Sequence, residues 1–91
     1  MKYEWNGMQF DWDEEKSAAN LIKHGRSFMD SYLLWLQPHG HLLAGNTDTE
    51  ERLVRRGIIE NQVWLCVYAM RGDKYRVMSL RPAHRKEREI P

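Results

Sequence analysis

The stretch VWLCVYAMRGDKYRVMS, residues 63–79, decides the fold of this chain. Residues 63–70 are apolar almost throughout, which is typical of a strand that is buried on both faces. Arg71-Gly72-Asp73 has the composition of a tight turn, and residues 74–79 have that of a returning strand. The stretch therefore predicts an antiparallel hairpin at the centre of a sheet.

Further strands are predicted on the N-terminal side of this hairpin. Residues 52–59 alternate basic and apolar side chains and lead into a turn at residues 60–62. Residues 41–44 can form one more short strand before a loop at residues 45–49, and Phe10-Asp11-Trp12 has the alternation of a short first strand.

The remaining segments contain residues that typically begin and end helices. Asp13 is placed to cap a helix that ends at His24 and Gly25, and Ser27 can cap a second helix that carries apolar residues to Leu36. Pro82 suits the first turn of a last helix over residues 83–89. We therefore expect one α+β domain over residues 1–91, with an antiparallel sheet of three to four strands, two N-terminal helices and one C-terminal helix.

Charge is distributed unevenly along the 91 residues. The total is only +1, which argues against a nucleic-acid binder, but residues 1–51 hold four Lys and Arg against nine Asp and Glu. Residues 71–91 hold seven against three. An acidic N-terminal part and a basic C-terminal part of the sequence indicate contact with a polyanion or with an oppositely charged partner.

Several classes of protein are excluded by composition. No apolar run approaches the roughly 18 residues that a membrane-spanning helix needs, and the polar, aromatic N-terminus is no secretory signal. The lone Cys66 lies in an apolar stretch and is interpreted as a small buried hydrophobe. No metal-ligand spacing and no Gly-rich phosphate loop is present, so we expect no metal, no cofactor and a cytoplasmic protein.

Two basic clusters contain the groups that RNA cleavage without a metal requires. The first is Lys23-His24, and the second contains Lys74, Arg76, Arg81, His84, Arg85, Lys86 and Arg88. Histidine can act as the base or the acid of the reaction, and cations stabilise the charge that grows on the phosphate. Arginine matches phosphate oxygens in a bidentate way.

Each candidate also has a structural interpretation. His24 and Lys23 can simply neutralise the last carbonyls of a helix, and Arg52, Arg55 and Arg56 can form a solvated strand edge. Residues 85–89 can be an exposed helix face. Arg81 lies where a predicted strand ends and a predicted helix begins, and the backbone N–H groups at the start of a helix attract anions. Trp12 is either a core residue or a platform on which an RNA base stacks.

The order and spacing of these residues resemble the BrnT family. The first half of the resemblance consists of residues 10–16, Asn20, Lys23-His24-Gly25 and Phe28. The second half consists of residues 50–52, Gly57, residues 65–68, Arg71-Gly72, residues 76–79, Arg81, Ala83 and Glu87. Departures from the family pattern are Arg56 ahead of Gly57, the end at Ile90-Pro91, and the segment 37–48 with His39 and His41.

The resemblance implies a RelE-like fold and a ribonuclease toxin of a type II toxin–antitoxin system that arrests translation. It also implies a BrnA-like ribbon-helix-helix antitoxin, two toxins on an antitoxin dimer, and operator DNA bound only through that antitoxin. The expected catalytic residues are His24, Lys23, Arg76, Arg81 and His84, and the expected RNA contacts are Trp12, Arg52 and Arg85. Ser79 and Glu87 also match the family, and Glu87 can instead pair with a neighbouring arginine.

Two other functions remain open from sequence alone. A domain of this fold that has lost catalysis would only bind RNA or a partner, with retention that weakens steeply as salt rises. A small assembly module would use the aromatic second helix, with Tyr32 and Trp35, as a stable interface.

Overall fold

A computed structural model describes residues 2–5, 7–37, 41–46 and 51–85 of the chain. The strands are β1 (Lys2–Trp5), β2 (Met8–Asp11), β3 (His41–Asn46), β4 (Glu51–Ile59), β5 (Gln62–Arg71) and β6 (Lys74–Pro82). The helices are α1 (Glu14–His24) and α2 (Tyr32–Trp35), and a 3-10 helix over Phe28–Ser31 leads into α2.

The described strands form one mixed sheet of six strands in the order β1-β2-β6-β5-β4-β3. The hairpin predicted from residues 63–79 is present as β5 and β6, and β4 pairs antiparallel with β5. The predicted all-antiparallel sheet of three to four strands is wrong, because β2 pairs parallel with β6 and because β1 extends the sheet. A parallel pair arises here because β2 reaches β6 through the intervening helices and strands rather than through a hairpin.

One face of the sheet, called here the front face, carries the helices. The helix α1 lies along β6, and α2 packs against β4. The core between them contains Phe10, Phe28, Leu34, Trp64 and Tyr68, each with at most 5% of its surface exposed. Lone Cys66 is completely buried in this core, as its apolar surroundings predicted.

Local sequence signals explain both ends of α1. The Asp13 Oδ1 atom accepts hydrogen bonds from the backbone N–H of Glu15 at 2.8 Å and of Lys16 at 3.2 Å, which is the N-cap predicted from sequence. Gly25 ends the helix with a φ of 84°, a left-handed conformation that glycine adopts without steric cost. Asp13 and Gly25 together determine the ends of α1 and make His24 its last residue.

Two amide side chains bind backbone of β6 and β4 that the short neighbouring strands β2 and β3 leave open. The strand β2 pairs with β6 only over residues 74–76, and β3 pairs with β4 only over residues 51–55. Beyond those limits, Asn20 donates to the Leu80 carbonyl at 2.7 Å and accepts from the Leu80 N–H at 3.4 Å. Gln37 donates to the Ile58 carbonyl at 2.8 Å and accepts from the Ile58 N–H at 2.7 Å. Each amide thereby takes the place of a missing neighbouring strand.

Four predicted boundaries need correction. Trp12 follows β2 instead of belonging to it, and the second helix is a 3-10 turn followed by a single turn of α2. Gly45, predicted in a loop, belongs to β3. Pro82 ends β6 opposite Trp64 and does not start a helix. Most of the predicted last helix, residues 86–89, lies outside the described residues.

In the described ranges, no helix has the length and apolar content to cross a bilayer.

Candidate functional site

The candidate site forms where the end of α1 meets the end of β6. Asp11 of β2 is aligned with Arg76 near the start of β6, and Asn20 in the middle of α1 is bound to Leu80. The helix therefore runs beside β6 in the same direction, continuing past the end of β2. This arrangement brings Lys23 and His24, the last two residues of α1, to the end of β6 that carries Arg81.

His24 is partly exposed at this junction, and its pKa lies below the usual 6.5. Burial contributes most to the lowering, followed by the charge of Lys23 and then by the charge of Arg81. A lowered pKa keeps the imidazole neutral near pH 7, which is the form that accepts a proton. The lowering by Arg81 also shows that the two side chains are close enough for their charges to interact.

Lys23 and Arg81 supply the cations of the site. Lys23 is exposed in the last turn of α1, and Arg81 is partly buried on β6, where its Nη1 donates to the Pro82 carbonyl at 3.4 Å. Because Arg81 aligns with Leu65 of β5, its side chain lies on the face of the sheet opposite the helices, called here the back face. The end of β6 beside the last turn of α1 therefore carries an ammonium and an imidazole from the helix and a guanidinium on the opposite face of the sheet.

Arg76 is not brought to this corner. Its Nη1 lies 3.3 Å from the Asp11 Oδ1 atom in a partly buried ion pair. Arg81 lies five positions further along β6, which corresponds to about 16 Å at about 3.3 Å per residue. Arg76 therefore lies at the far end of β6 with its charge already balanced by a carboxylate.

The other predicted residues lie around the site or away from it. The hydrogen bond from Ala83 N–H to the Val63 carbonyl, at 2.9 Å, is followed by His84 and Arg85, which are both exposed. Arg52 is exposed near the start of β4. The structure leaves all three accessible to a ligand.

Trp12 is buried, whereas the predicted role in stacking on an RNA base requires an exposed ring. Its side chain is only 3% exposed and belongs to the core cluster. A ring buried to this extent offers no face to a base, so the stacking role is incompatible with this structure. The core interpretation of Trp12 holds.

Arg55 and Arg56, which the sequence pattern treats alike, face opposite sides of β4. Arg55 lies on the front face, where its guanidinium donates to the Gln37 carbonyl at 2.7 Å and to the Leu34 carbonyl at 3.3 Å. It neutralises the end of α2 and lies over the Trp35 ring, 5.5 Å from the centroid. Its role is structural.

Arg56 lies on the back face, aligned with Leu65 and through it with Arg81. Its Nη1 atom is buried and has no hydrogen-bond partner in the described part of the chain. Sequence reasoning interpreted this residue only as part of a solvated strand edge and as a departure from the family pattern. The alternation of side chains along a strand could have shown that Arg55 and Arg56 face opposite sides of the sheet, once the register of β4 with β5 is known.

The site combines imidazole with basic side chains at the corner of a small α+β domain, an arrangement suited to a protein that handles phosphate esters. In the described ranges, no three His, Cys, Asp or Glu side chains are grouped closely enough to share a metal ion.

Comparison with protein families places the chain among known toxins. A family model described as "Ribonuclease toxin, BrnT, of type II toxin-antitoxin system" matches residues 12–87. The chain belongs to this family, which makes it a ribonuclease toxin of a type II system with a protein antitoxin as partner. Searches among curated proteins and among solved structures gave no match, so the RelE-like likeness stays a prediction.

Proposed function

We propose that this toxin is an endoribonuclease that cleaves RNA by metal-independent acid–base chemistry at the corner formed by Lys23, His24 and Arg81. The observation that supports the proposal is the alignment of α1 with β6, together with the lowered pKa of His24, to which the charges of Lys23 and Arg81 contribute. Metal independence is supported by the residue types, since imidazole, ammonium and guanidinium groups can move the protons and stabilise the phosphate charge themselves.

His24 acts as the general base in this proposal. It takes the proton of a ribose 2′-hydroxyl, and the oxygen attacks the adjacent phosphorus. The bond from phosphorus to the 5′-oxygen breaks, and an acid gives that oxygen a proton, which leaves a 2′,3′-cyclic phosphate and a 5′-hydroxyl end. His84 is the proposed acid, because it follows Arg81 by three residues and is exposed.

The remaining cations bind the substrate. Lys23 and Arg81 hold the reacting phosphate and stabilise the charge that develops on its oxygens. Arg52 and Arg85 contact RNA outside the reacting linkage. Arg76 contributes to phosphate binding only when RNA competes with Asp11 for its guanidinium, so we assign it the smallest effect.

Family membership supports the following biological setting, which forms part of the proposal. Cleavage of RNA in the cytoplasm inhibits translation, and a BrnA-like antitoxin with a ribbon-helix-helix part neutralises the toxin. Two toxins bind an antitoxin dimer, and operator DNA is contacted only through the antitoxin. The domain itself is of RelE-like architecture.

Induction of the toxin in bacteria, alone and together with its antitoxin, tests this proposal. Growth and protein synthesis stop on induction alone and continue when the antitoxin is present. The purified toxin cuts RNA in the presence of EDTA. Intact RNA together with unaffected growth would overturn the ribonuclease assignment, and cleavage that EDTA abolishes would overturn metal independence.

An alternative is a domain that binds RNA or a partner without cleaving. It is supported by the alignment of Arg56 and Arg81 on the back face, because their positive charges do not depend on His24. RNA retention that weakens steeply with salt, with no cut products, would favour this alternative.

A further inference from the structure

The helix α1 directs polar residues towards the rest of the domain and apolar residues towards solvent. Its two buried residues are Ser17 and Asn20, and Asn20 attaches the helix to β6. On the other side of the helix, Leu21 is 51% exposed and Ile22 is 88% exposed. A surface helix ordinarily has the reverse arrangement, with its apolar stripe against the core. The apolar side of α1 is therefore available to a second molecule.

This apolar side, called here the outer face of α1, consists of Ala18, Ala19, Leu21 and Ile22. A helix turns by about 100° per residue, so Glu15 and Ile22 lie along the middle of the outer face, opposite to the buried residues. By the same geometry Lys16 and Lys23 lie together along one flank of it. Adjacent exposed apolar residues with a charged rim are typical of a protein interaction surface.

A second copy of this chain does not fit the outer face. If two α1 helices related by a two-fold axis ran parallel, Glu15 would oppose its own counterpart. If they ran antiparallel, each flank would meet the same flank of the other copy, and Lys16 would approach Lys23. The 11 residues of α1 also form a face only about 16 Å long and about 10 Å wide, or about 160 Å², whereas each partner buries about 800 Å² in a stable interface.

A partner of different sequence avoids both conflicts, and family membership supplies one, because a type II system contains a protein antitoxin. Such a partner can place apolar side chains on Ile22, basic side chains beside Glu15 and carboxylates beside Lys16 and Lys23. Ile22 directly precedes Lys23 and His24, so the outer face is continuous with the candidate site. A protein that extends over both surfaces reaches the area that α1 alone does not provide.

We propose that the outer face of α1 is the docking surface for the antitoxin, which lays an apolar segment on Leu21 and Ile22 and carboxylates beside Lys16 and Lys23. A carboxylate at Lys23 takes the place of the reacting phosphate, so docking also blocks the candidate site. The location of the interface rests on family membership and on the exposed residues of α1. Only the blocking of the site rests on the proposed function.

Binding of the purified antitoxin, measured by isothermal titration calorimetry, tests the apolar part of this interface. Ile22→Glu is expected to weaken binding by at least about tenfold, because burial of one isoleucine corresponds to about tenfold to a hundredfold in affinity. The matched control is Ile58→Glu, the same substitution at a residue that is 53% exposed on β4, two strands away from β6. We expect the control to bind within about twofold of the wild type, and thermal melting shows that each variant is folded.

The charged flank is tested by Lys16→Gln. We expect antitoxin binding at low salt to weaken by about twofold to fivefold, the range of an exposed ion pair. The matched control is Arg71→Gln, which removes the same charge at the exposed end of β5 and leaves binding unchanged. Wild-type affinity in Lys16→Gln would overturn the proposed charge pattern.

A label at position 22 tests whether the antitoxin covers the outer face directly. Ile22→Cys can be labelled selectively with an environment-sensitive fluorophore, because Cys66 is completely buried and burial raises the pKa of its thiol to about 12. We expect bound antitoxin to shift the emission of this label to shorter wavelength. The same label on Ile58→Cys keeps its emission.

Wild-type affinity in Ile22→Glu, or unchanged emission at position 22 when the antitoxin is bound, would overturn the inference. So would a free toxin that is dimeric by light scattering and becomes monomeric in Ile22→Glu, since a second copy would then cover the outer face. If the toxin cuts no RNA but antitoxin binding depends on Ile22, the proposed function fails and this inference stands. If the toxin cuts RNA and Ile22→Glu binds the antitoxin normally, the inference fails and the function stands.

Discussion

His24 is a residue whose chemistry depends on its neighbours. Its pKa is lowered by burial, by Lys23 and by Arg81, so removal of either cation raises the pKa again. We expect Arg81→Gln and Lys23→Gln each to move the pKa of His24 upwards in an NMR titration, with no shift in the control Arg71→Gln. An unchanged value in Arg81→Gln would mean that Arg81 does not lie beside His24.

The same shift makes stability depend on pH. Since the folded-state pKa of His24 is below 6.5, the unfolded chain binds more protons just below that pH. This contribution to stability is present above pH 6.5 and is lost as the pH falls towards the folded-state pKa. His24→Gln removes that part of the pH dependence.

Gly57 is a residue where one methyl group matters. A Cβ atom there would lie 2.8 Å from the Leu34 Cδ2 atom and 3.1 Å from the Gln37 Oε1 atom. We expect Gly57→Ala to lower the free energy of unfolding by about 1–3 kcal/mol, as overpacking of a core does. Urea denaturation measures this change.

Leu34→Ala supplies the matched control for Gly57. Leu34 is completely buried, and the substitution alone costs about 2–5 kcal/mol. In the double variant the shortened side chain makes room for the new methyl group, so the combined loss is smaller than the sum of the single losses. Additive losses would show that the close contact at Gly57 does not exist.

At the level of elements, the side-chain amides of Asn20 and Gln37 can be compared, because each binds the backbone of a strand. Asn20 attaches α1 to β6 at Leu80, and Gln37 attaches the segment after α2 to β4 at Ile58. Each substitution to alanine leaves backbone groups without their partner, at a cost of about 1–3 kcal/mol. Only Asn20 lies on the helix that carries His24.

We therefore expect both Asn20→Ala and Gln37→Ala to lower the melting temperature, but only Asn20→Ala to reduce RNA cleavage per folded molecule. Cleavage is measured at a temperature where both variants are folded by circular dichroism. Equal loss of cleavage in the two variants would show that the attachment of α1 to β6 does not position the site.

Elements with strong local signals were predictable from the sequence. Asp13 and Gly25 set the ends of α1, and the hairpin of β5 and β6 follows from an apolar run, a turn and an alternating segment. The parallel pairing of β2 with β6 was not predictable, because residues 9–11 meet residues 74–76 across most of the chain. The second helix is also shorter than its apolar pattern predicted, because only Tyr32–Trp35 are α-helical after a 3-10 turn.

For the whole molecule, the sequence supplied candidate site residues but did not indicate which of them lie near one another. Lys23, His24 and Arg81 are brought together by the course of α1 along β6, which no local pattern encodes. Arg76 is distant from them and paired with Asp11, and Trp12 is in the core. Arg56, which the sequence pattern placed on a solvated strand edge, has a buried Nη1 atom. The near-neutral total charge of +1 hides this arrangement, because acidic and basic residues occupy different parts of the sequence.

The central claim is that RNA is cleaved where α1 ends beside β6, and one measurement tests it most directly. Single-turnover cleavage of RNA in EDTA is compared for the wild type, His24→Ala, Arg81→Ala and the control Arg71→Gln, each checked for folding by circular dichroism. We expect His24→Ala and Arg81→Ala each to slow cleavage by about a hundredfold or more, and Arg71→Gln to cut at the wild-type rate. Wild-type cleavage by a folded His24→Ala variant would contradict the account.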